Sequence, residues 1–513
     1  MLEQFIYHRI VEQLPFQANQ GQEELLHKIA DFIVKNSPRK AFILRGYAGT
    51  GKTSIMATLV QALKDLKQRI VLLAPTGRAA KVLSRYAHHN AYTIHKYIYR
   101  QKQLGEERFS LNDNLHPNTL FIVDEASMIS GKKEYSNFGS GILLDDLVKF
   151  VYSAPGCSLM MLGDNAQLPP VGSLDSPALN EDFMAGYDLH IYSHTLTEVA
   201  RQALDSGILE NATRLRPLAL GEEAMRRKAR GEEARGAVSD RGISEMARGE
   251  EARGAVSDRG ISEMARGEEA MWDIVELGRD VQTVSGAELL EILEQSYNEV
   301  GEEETIMLTR TNRRTNIYNQ GIRARILWRE DEISTGDRVM VSKNNYFWTE
   351  KYENLPFLAN GDLLEIVRLR NIREMYGYHF ADAQLKALDY DWEIDAIVWL
   401  DTLNSDGPEV NTKMHKALFE KIAEDYPELI HSRRKLVEKI YESPYYNALQ
   451  IRMAYAITGH KSQGGQWARV IIDPYKGGDT STPQTAEERQ EFYRWLYTAI
   501  TRATEKVYLI KNK

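Results

Sequence analysis

The segment GYAGTGKT at residues 46–53 constrains the fold more than any other stretch of the chain. It matches the pattern GxxxxGK[ST], follows the apolar run AFILR and precedes the helical run SIMATLVQAL, which is the strand–loop–helix context that the pattern requires. Gly46, Gly49 and Gly51 let the backbone bend so that its N–H groups surround an anion, and the helix N-terminus adds partial positive charge. The segment therefore predicts a phosphate-binding loop in an α/β fold.

Acidic residues at the end of a later apolar run complete a nucleotide-hydrolysis pattern. In the loop itself, Lys52 is placed to reach the β- and γ-phosphates, and the hydroxyl of Thr53 is placed to hold Mg²⁺. In FIVDEAS, Asp124 would bind the same ion directly or through water, and Glu125 would orient and deprotonate the attacking water. The pattern predicts ATP and Mg²⁺ as the cofactors.

On chemistry alone, each of three further polar residues has two interpretations. Gln167, in GDNAQLPPVG, either bonds a γ-phosphate oxygen and reports the ATP state or belongs to a structural turn. Arg201 in EVARQ and Arg502 in YTAITRATE are of the type that a second lobe supplies to the departing phosphate. From spacing alone, surface or salt-bridge arginines are the commoner outcome.

The chain alternates between α/β and β-rich regions. Short apolar runs ending in Gly, Pro, Asp or Asn, followed by helical patterns, predict a parallel sheet over residues 1–195, with ligands at the carboxyl ends of its strands. Residues 336–443 are first β-leaning and then helical and charged, which predicts a separate small domain. The α/β pattern returns over 445–513.

Composition bounds the function classes. The net charge of −9 argues against a protein that coats DNA by bulk charge, but it does not exclude a local basic groove. Cys157 is the only cysteine, so no intramolecular disulfide is expected and a cytoplasmic location is predicted. No apolar run is long enough to predict a membrane span.

The order of eight segments carries a family resemblance. They are GYAGTGKT, LLAPTGRAAKVLS, AYTIH, FIVDEASM, GDNAQLPPVG, EVARQ, AITGHKSQGGQW and LYTAITRATEKVYLI. Together they resemble the motifs of superfamily 1B DNA helicases, the group of Dda and RecD-like proteins. The resemblance implies two RecA-like P-loop lobes, each a parallel sheet flanked by helices, with ATP in the cleft between them.

The resemblance also implies the domain layout. Residues 1–195 would form lobe 1A, with a small hairpin insertion at 97–118. Residues 196–335 and 444–513 would form lobe 2A. An SH3-like accessory domain at 336–443 would be inserted in lobe 2.

By the same resemblance, site residues are expected at matching positions. The nucleotide set is Gln22 (or its neighbour Gln20), Gly46, Gly49, Thr50, Gly51, Lys52, Thr53, Asp124, Glu125, Gln167, Arg201, Gly464 and Arg502. The expected nucleic-acid contacts are Pro75, Thr76, Thr93, His95, Thr458, His460 and Lys461. Taken singly, these latter residues are better explained as a proline turn, helix caps and core histidines.

Two further nucleic-acid contacts are predicted in the insertions. Phe109 is the candidate for an aromatic residue at the hairpin tip that stacks on the last base pair, and its equal alternative is a residue that anchors the loop to the lobe. Asn344 or Asn360 is the candidate in the accessory domain, although Asn360–Gly361 is first a turn signal.

The function implied is an ATP-dependent DNA helicase that moves on single-stranded DNA as a monomer and opens single-strand/duplex junctions. The 5′→3′ direction comes from the resemblance alone. The alternatives are an RNA helicase of the same superfamily and a P-loop ATPase that remodels proteins without nucleic acid.

An 18-residue repeat interrupts the second lobe within the segment 217–271. RGEEARGAVSDRGISEMA occurs at 230–247 and again, unchanged, at 248–265. Its many charges and glycines bury little apolar surface, which predicts a disordered or loosely helical excursion. A long polar helix is the rival, and the glycines oppose it.

Deletion of residues 225–270 is expected to leave steady-state ATPase activity intact, because the repeats carry none of the hydrolysis residues. Comparing the deletion variant with the full chain in the presence of oligo(dT) tests this. A large loss of activity in a variant that melts at the same temperature would refute the prediction.

Overall fold

The computed structural model describes residues 2–101, 109–133, 138–199, 206–221, 275–349, 351–352, 357–405, 407–429, 431–475 and 485–511. Arg201, the 18-residue repeats and the tip of the hairpin lie outside these residues. Within them, no helix is both long and apolar enough to cross a membrane.

The first lobe is a six-stranded parallel sheet with the strand order β3-β2-β6-β7-β1-β8. Its strands are β1 (Lys40–Gly46), β2 (Arg69–Ala74), β3 (Ala91–Thr93), β6 (Thr119–Val123), β7 (Ser158–Gly163) and β8 (His190–Leu196). The helices are α1 (Leu2–Glu12), α2 (Gln20–Val34), α3 (Lys52–Asp65), α4 (Gly77–Ala87), α5 (Ile94–Ile98), α6 (Leu143–Val151) and α7 (Glu181–Ala185).

Apolar residues cover both faces of this sheet. Every residue of β6 and β7 is buried, as expected for central strands of a parallel sheet. One core packs α2 and α3 on the first face and another packs α5 and α6 on the second. The sheet therefore sits between two helical layers, and only the ends of its strands are open to ligands.

A small antiparallel hairpin follows α5. It consists of β4 (Tyr99–Gln101) and β5 (Phe109–Leu111), in which Gln101 pairs with Phe109. Phe109 is 3% exposed and packs against Phe138, Tyr346 and Phe357. The prediction that Phe109 is a base-stacking residue at the hairpin tip is therefore wrong, because its ring is enclosed by these three aromatic side chains and anchors the hairpin.

The second lobe is a five-stranded parallel sheet with the order β16-β10-β17-β18-β9. Its first part contains α8 (Gly207–Ala219), β9 (Val281–Val284), α9 (Leu289–Val300), β10 (Thr305–Thr309) and α10 (Asn312–Arg325). Its second part contains β16 (Ala456–Thr458), β17 (Trp467–Asp473), α13 (Ala486–Ile500) and β18 (Ala503–Ile510). These two sheets confirm the predicted pair of parallel-sheet lobes flanked by helices.

A closed five-stranded barrel separates the two parts of the second lobe. It contains β11 (Arg338–Val341), β12 (Leu363–Met375), β13 (Tyr378–Ala387), β14 (Glu393–Trp399) and β15 (Leu449–Met453), with α11 (Pro408–Ala423) and α12 (Arg433–Tyr441) before the last strand. This confirms a β-rich accessory domain. Its last strand lies beyond the predicted boundary at residue 443, because β15 closes the barrel by pairing with β11 and β14.

Among the described residues, five 3-10 helices connect the longer elements. They span Ala126–Met128, Pro177–Leu179, Leu400–Thr402, Pro427–Leu429 and Gly459–Ser462.

A buried carboxylate fastens the barrel to the second lobe. Asp337, just before β11, is fully buried and lies 2.8 Å from both the Arg323 and Arg329 guanidinium groups. The Tyr455 hydroxyl donates to it over 2.9 Å. Because Arg323 belongs to α10 and Tyr455 links β15 to β16, a single side chain joins three segments of the chain.

Asp337→Ala is expected to destabilise the protein by about 3–5 kcal/mol, because it leaves two arginines beside a buried site without their counter-charge. This corresponds to a fall of about 10 °C in the melting temperature measured by calorimetry or fluorescence. The matched control is Asp395→Ala on β14, where the side chain is exposed. Equal melting temperatures for the two variants would contradict the prediction.

Candidate functional site

The phosphate-binding loop has the backbone geometry that its glycines predict. Gly49 and Gly51 have φ values of 73° and 86°, in the left-handed region that residues with a Cβ avoid. Helix α3 begins at Lys52, immediately after the loop. The Lys52 ammonium donates to the carbonyl oxygens of Gly46 and Tyr47, so it lies within the curve of the loop.

Gln22 lies against this loop. It is 2% exposed, and its Nε2 donates to the Thr50 carbonyl oxygen over 3.1 Å. A capping box with Asn19 fixes it at the start of α2. Gln20 is exposed and bonds Glu24, so Gln22 is the one of the two glutamines that contacts the loop.

Asp124 and Glu125 follow β6 at the carboxyl edge of the sheet. The Glu125 N–H donates to Asp124 Oδ1 over 2.9 Å, and Glu125 has a φ of 51°, an unusual conformation for a residue with a side chain. Burial raises the pKa of both carboxyl groups, and Lys52 and Arg502 oppose the rise. Two partly buried acids in this state favour a bound cation, which would hold both ionised.

Arg502 brings the second lobe to this acidic pair. It is 5% exposed, and its guanidinium lies 4.0 Å from Glu125 Oε1. Hydrogen bonds to the carbonyl oxygens of Thr498 and Gly465, at 3.0 and 3.3 Å, hold it there. The Arg502 side chain is therefore held across the cleft. Sequence spacing alone had favoured a surface or salt-bridge arginine.

A tyrosine that sequence reasoning missed makes a second bridge between the lobes. Tyr497, on α13 of lobe 2, donates its hydroxyl hydrogen to Asp164 Oδ2 over 2.6 Å. The hydroxyl oxygen of Tyr497 accepts from the Ala48 N–H of the phosphate loop over 2.9 Å. In the sequence, the only sign of this tyrosine was an aromatic residue five positions before Arg502 in the last motif.

Gln167 lies in the strand-end loop of lobe 1 that these bridges hold. It is 6% exposed, and its Oε1 has no hydrogen-bond partner among the described residues. The next residue, Leu168, donates its N–H to Thr498 Oγ1 over 2.9 Å and accepts from Gln463 Nε2 over 2.7 Å. Lobe 2 thus hydrogen-bonds to the lobe 1 backbone at Leu168, next to the unpaired amide oxygen of Gln167.

A separate cavity of about 260 Å³ lies between lobe 1, lobe 2 and the barrel. Six of the residues predicted to contact nucleic acid line it, namely Pro75, Thr76, Thr93, His95, Asn344 and Lys461, and so does Asn360, the alternative to Asn344. Tyr99, Phe138 and Phe357 line it as well and were not predicted. We call this cavity the channel. Its polar groups come from all three domains.

The expected structural roles of these residues also hold. Thr76 and Thr93 each cap a helix, accepting from the N–H groups of Ala79 and Lys96. Burial lowers the pKa of His95 to about 4, so its imidazole is neutral at pH 7. A helix cap and a channel wall are compatible here, because each cap lies at the carboxyl end of a strand.

The remaining predicted residues lie around these two sites. Thr458 and His460 flank the turn before Lys461 but do not line the channel. A Cβ on Gly464 would lie 2.6 Å from the Cβ of Ala79. The structure therefore places Gly464 against the start of α4.

The fold and this geometry define a two-lobed P-loop nucleotide-binding protein with a channel beside its cleft. Residues 17–238 match the model of an AAA domain, and residues 453–510 match that of the UvrD-like helicase C-terminal domain. An uncharacterized protein of Acanthamoeba polyphaga mimivirus is 22% identical over 95% of this chain and 99% of its own length.

Two named helicases match over shorter regions. The ATP-dependent DNA helicase dda of Enterobacteria phage T4 is 31% identical over 34% of this chain and 37% of the helicase. The ATP-dependent RecD2 DNA helicase of Deinococcus radiodurans is 28% identical over 39% of this chain and 24% of the helicase. These findings confirm the resemblance to superfamily 1B DNA helicases.

Tyr497→Phe is expected to lower ATPase kcat by about tenfold, because it leaves the buried Asp164 carboxylate and the Ala48 N–H without their shared partner. Steady-state kinetics with and without oligo(dT) measure this. Tyr86→Phe, at an exposed tyrosine of α4, is the control. Unchanged kcat and KM in the Tyr497 variant would show that the bridge has no part in turnover.

Proposed function

We propose that this protein is an ATP-dependent DNA helicase that moves along single-stranded DNA and unwinds duplex DNA. The observation that carries the proposal is the contact across the cleft, in which Arg502 of lobe 2 faces Glu125 of lobe 1. ATP bound in the cleft would join the lobes, and hydrolysis would release them. The channel is walled by the same two lobes, so each cycle would change its grip on a strand.

The nucleotide would be held mainly by lobe 1. In this proposal the loop amides and Lys52 bind the phosphates, and Gln22 lies beside the loop in a position to bind the base. Arg502 would contact the departing phosphate group. Gln167, with its unpaired amide oxygen, would respond to the γ-phosphate through its amide group.

The residues around the acidic pair fit a divalent cation. Mg²⁺ prefers oxygen ligands, often one or two carboxylates together with phosphates. Thr53 and Asp124 would hold it, and the raised pKa values of the two partly buried acids support a site that favours added positive charge. When bound, the ion would neutralise phosphate charge. Glu125 would act as the base that takes a proton from water.

The channel would hold the nucleic acid chiefly by its backbone. Lys461 is exposed and donates to Asn360 Oδ1 over 2.7 Å, so an accessory-domain amide positions a cation of lobe 2. Thr76 and Thr93 supply hydroxyls, and the neutral His95 supplies a ring. Contacts of this kind to phosphates and sugars are independent of sequence.

Direction, oligomeric state and location complete the proposal. We propose 5′→3′ movement, as the resemblance to the superfamily 1B group implies. We also propose a monomeric motor in the cytoplasm that acts at junctions of single-stranded and duplex DNA. Arg201, outside the described residues, keeps its proposed role at the γ-phosphate.

The test is the steady-state ATPase rate with and without oligo(dT), with Lys52→Ala as the control. The rate is expected to rise strongly with oligo(dT) and to be lost in the variant, because Lys52 supplies the positive charge with which the loop binds phosphate. Unwinding of duplexes carrying a 5′ or a 3′ tail then measures direction.

Other outcomes would select the rivals. Stimulation by oligo(rU) in preference to oligo(dT) would indicate an RNA helicase. A rate that neither polymer changes would contradict a nucleic-acid motor and favour an ATPase that remodels proteins.

A further inference from the structure

A second groove lies on lobe 1, at the amino ends of β2 and β6. Its cavity measures about 560 Å³, and no residue of the proposed nucleotide set or of the channel lines it. We call it the flank groove. The lining side chains that bear on its chemistry are Lys64, Arg69, His89, Tyr92, Tyr97 and His116.

The flank groove and the channel lie on opposite sides of the elements that lead into the hairpin. Along β3, Tyr92 lines the groove while the next residue, Thr93, lines the channel. Along α5, His95 lines the channel while Tyr97 lines the groove. Adjacent strand residues and helix residues two apart point in roughly opposite directions. The hairpin begins at Tyr99, which lines the channel, so it leads off from the two elements that separate the cavities.

The flank groove is cationic although the whole chain is acidic. Lys64 and Arg69 are exposed, and His89 and His116 add two imidazole rings. None of its described lining residues is acidic. The nearest acids along the chain are engaged elsewhere: Asp65 accepts from Gln13 over 2.7 Å, and Asp113 pairs with Arg100 at 2.8 Å.

Rings alternate with these charges. Tyr92 is 45% exposed, and its ring centroid lies 5.5 Å from that of Tyr97. Tyr97 lies 6.3 Å from His116 and is fixed by edge contacts to Phe121 and Phe150. A row of aromatic rings beside cations is the surface on which single-stranded bases stack while their phosphates are neutralised.

We propose that the flank groove binds the strand that the hairpin excludes from the channel. This rests on the proposed function, in which the other strand occupies the channel. The strand separated at the hairpin emerges on the opposite side of α5, where the charges and rings of the groove receive it. Holding that strand opposes re-annealing behind the hairpin, so the groove contributes to unwinding and not to movement on a single strand.

The variant that tests this combines Tyr92→Ala, Lys64→Ala and Arg69→Ala. All three side chains are exposed, so the fold is expected to survive. Arg433→Ala with Lys435→Ala, at two exposed cations of α12, is the control for the lost charge. Melting temperature verifies both proteins.

Affinity is measured by fluorescence anisotropy on a fork with two single-stranded tails and on a duplex with the tracking tail alone. The groove variant is expected to bind the fork at least about fivefold more weakly, the lower end of one aromatic–base stack. Its affinity for the single-tailed duplex and its oligo(dT)-stimulated ATPase rate are expected to stay within about twofold. The slope of log affinity against log salt for the fork is expected to fall by about 1.4, for two phosphate contacts on a single strand.

Photo-crosslinking identifies the strand directly. Forks carry 5-iodouracil in one tail or the other, and crosslinked peptides are mapped by mass spectrometry. Crosslinks from the excluded tail to Tyr92 or Tyr97 support the proposal. Crosslinks to these tyrosines from the tracking tail only, or from neither tail, overturn it.

The failure of the two proposals can be told apart. A wild-type protein whose ATPase ignores oligo(dT) contradicts the proposed function itself. A wild-type protein that is stimulated and unwinds forks, while the groove variant binds them as tightly as the control, overturns the flank groove alone.

Discussion

The hydroxyl of Tyr497 joins the two lobes at the point where phosphate is expected to bind. It accepts from the phosphate loop and donates to Asp164, while Arg502, one turn of helix and a loop away, faces Glu125. Tyr497, Asp164 and Arg502 are buried, so their polar atoms need hydrogen-bond partners inside the protein. A few hydrogen bonds across the cleft therefore help to set the relative position of the two sheets.

The barrel adds the third wall of the channel, beside the two lobes. Asp362 of the barrel lies 3.5 Å from Lys96 of lobe 1, and the ammonium also lies 4.5 Å from the ring centroid of Tyr390. Burial raises the pKa of Asp362, and Lys96 opposes the rise. On the other side, Asp337 ties the barrel to lobe 2. The accessory domain therefore touches both lobes and completes the walls of the channel.

Local patterns predicted much of the nucleotide site because its chemistry is carried by short segments. Lys52, Thr53, Asp124 and Glu125 follow strands whose apolar runs are plain in the sequence, and parallel strands bring their carboxyl ends to one edge. Phe109 shows where prediction from local patterns fails. An aromatic residue in a short insertion looks the same whether it faces a base or a core, and only Phe138 and Phe357, distant in sequence, enclose it.

The sequence by itself determined the strand–loop–helix that curves around phosphate, the buried parallel strands, and the separation of a β-rich domain from two α/β regions. These follow from glycine positions and from apolar runs, which act over a few residues. Tertiary structure alone decided that Arg502 meets Glu125, that β15 closes the barrel, and that β3 and α5 separate the channel from the flank groove. Each of these depends on the packing of segments far apart in the chain, and no local pattern encodes which distant surface a side chain will meet.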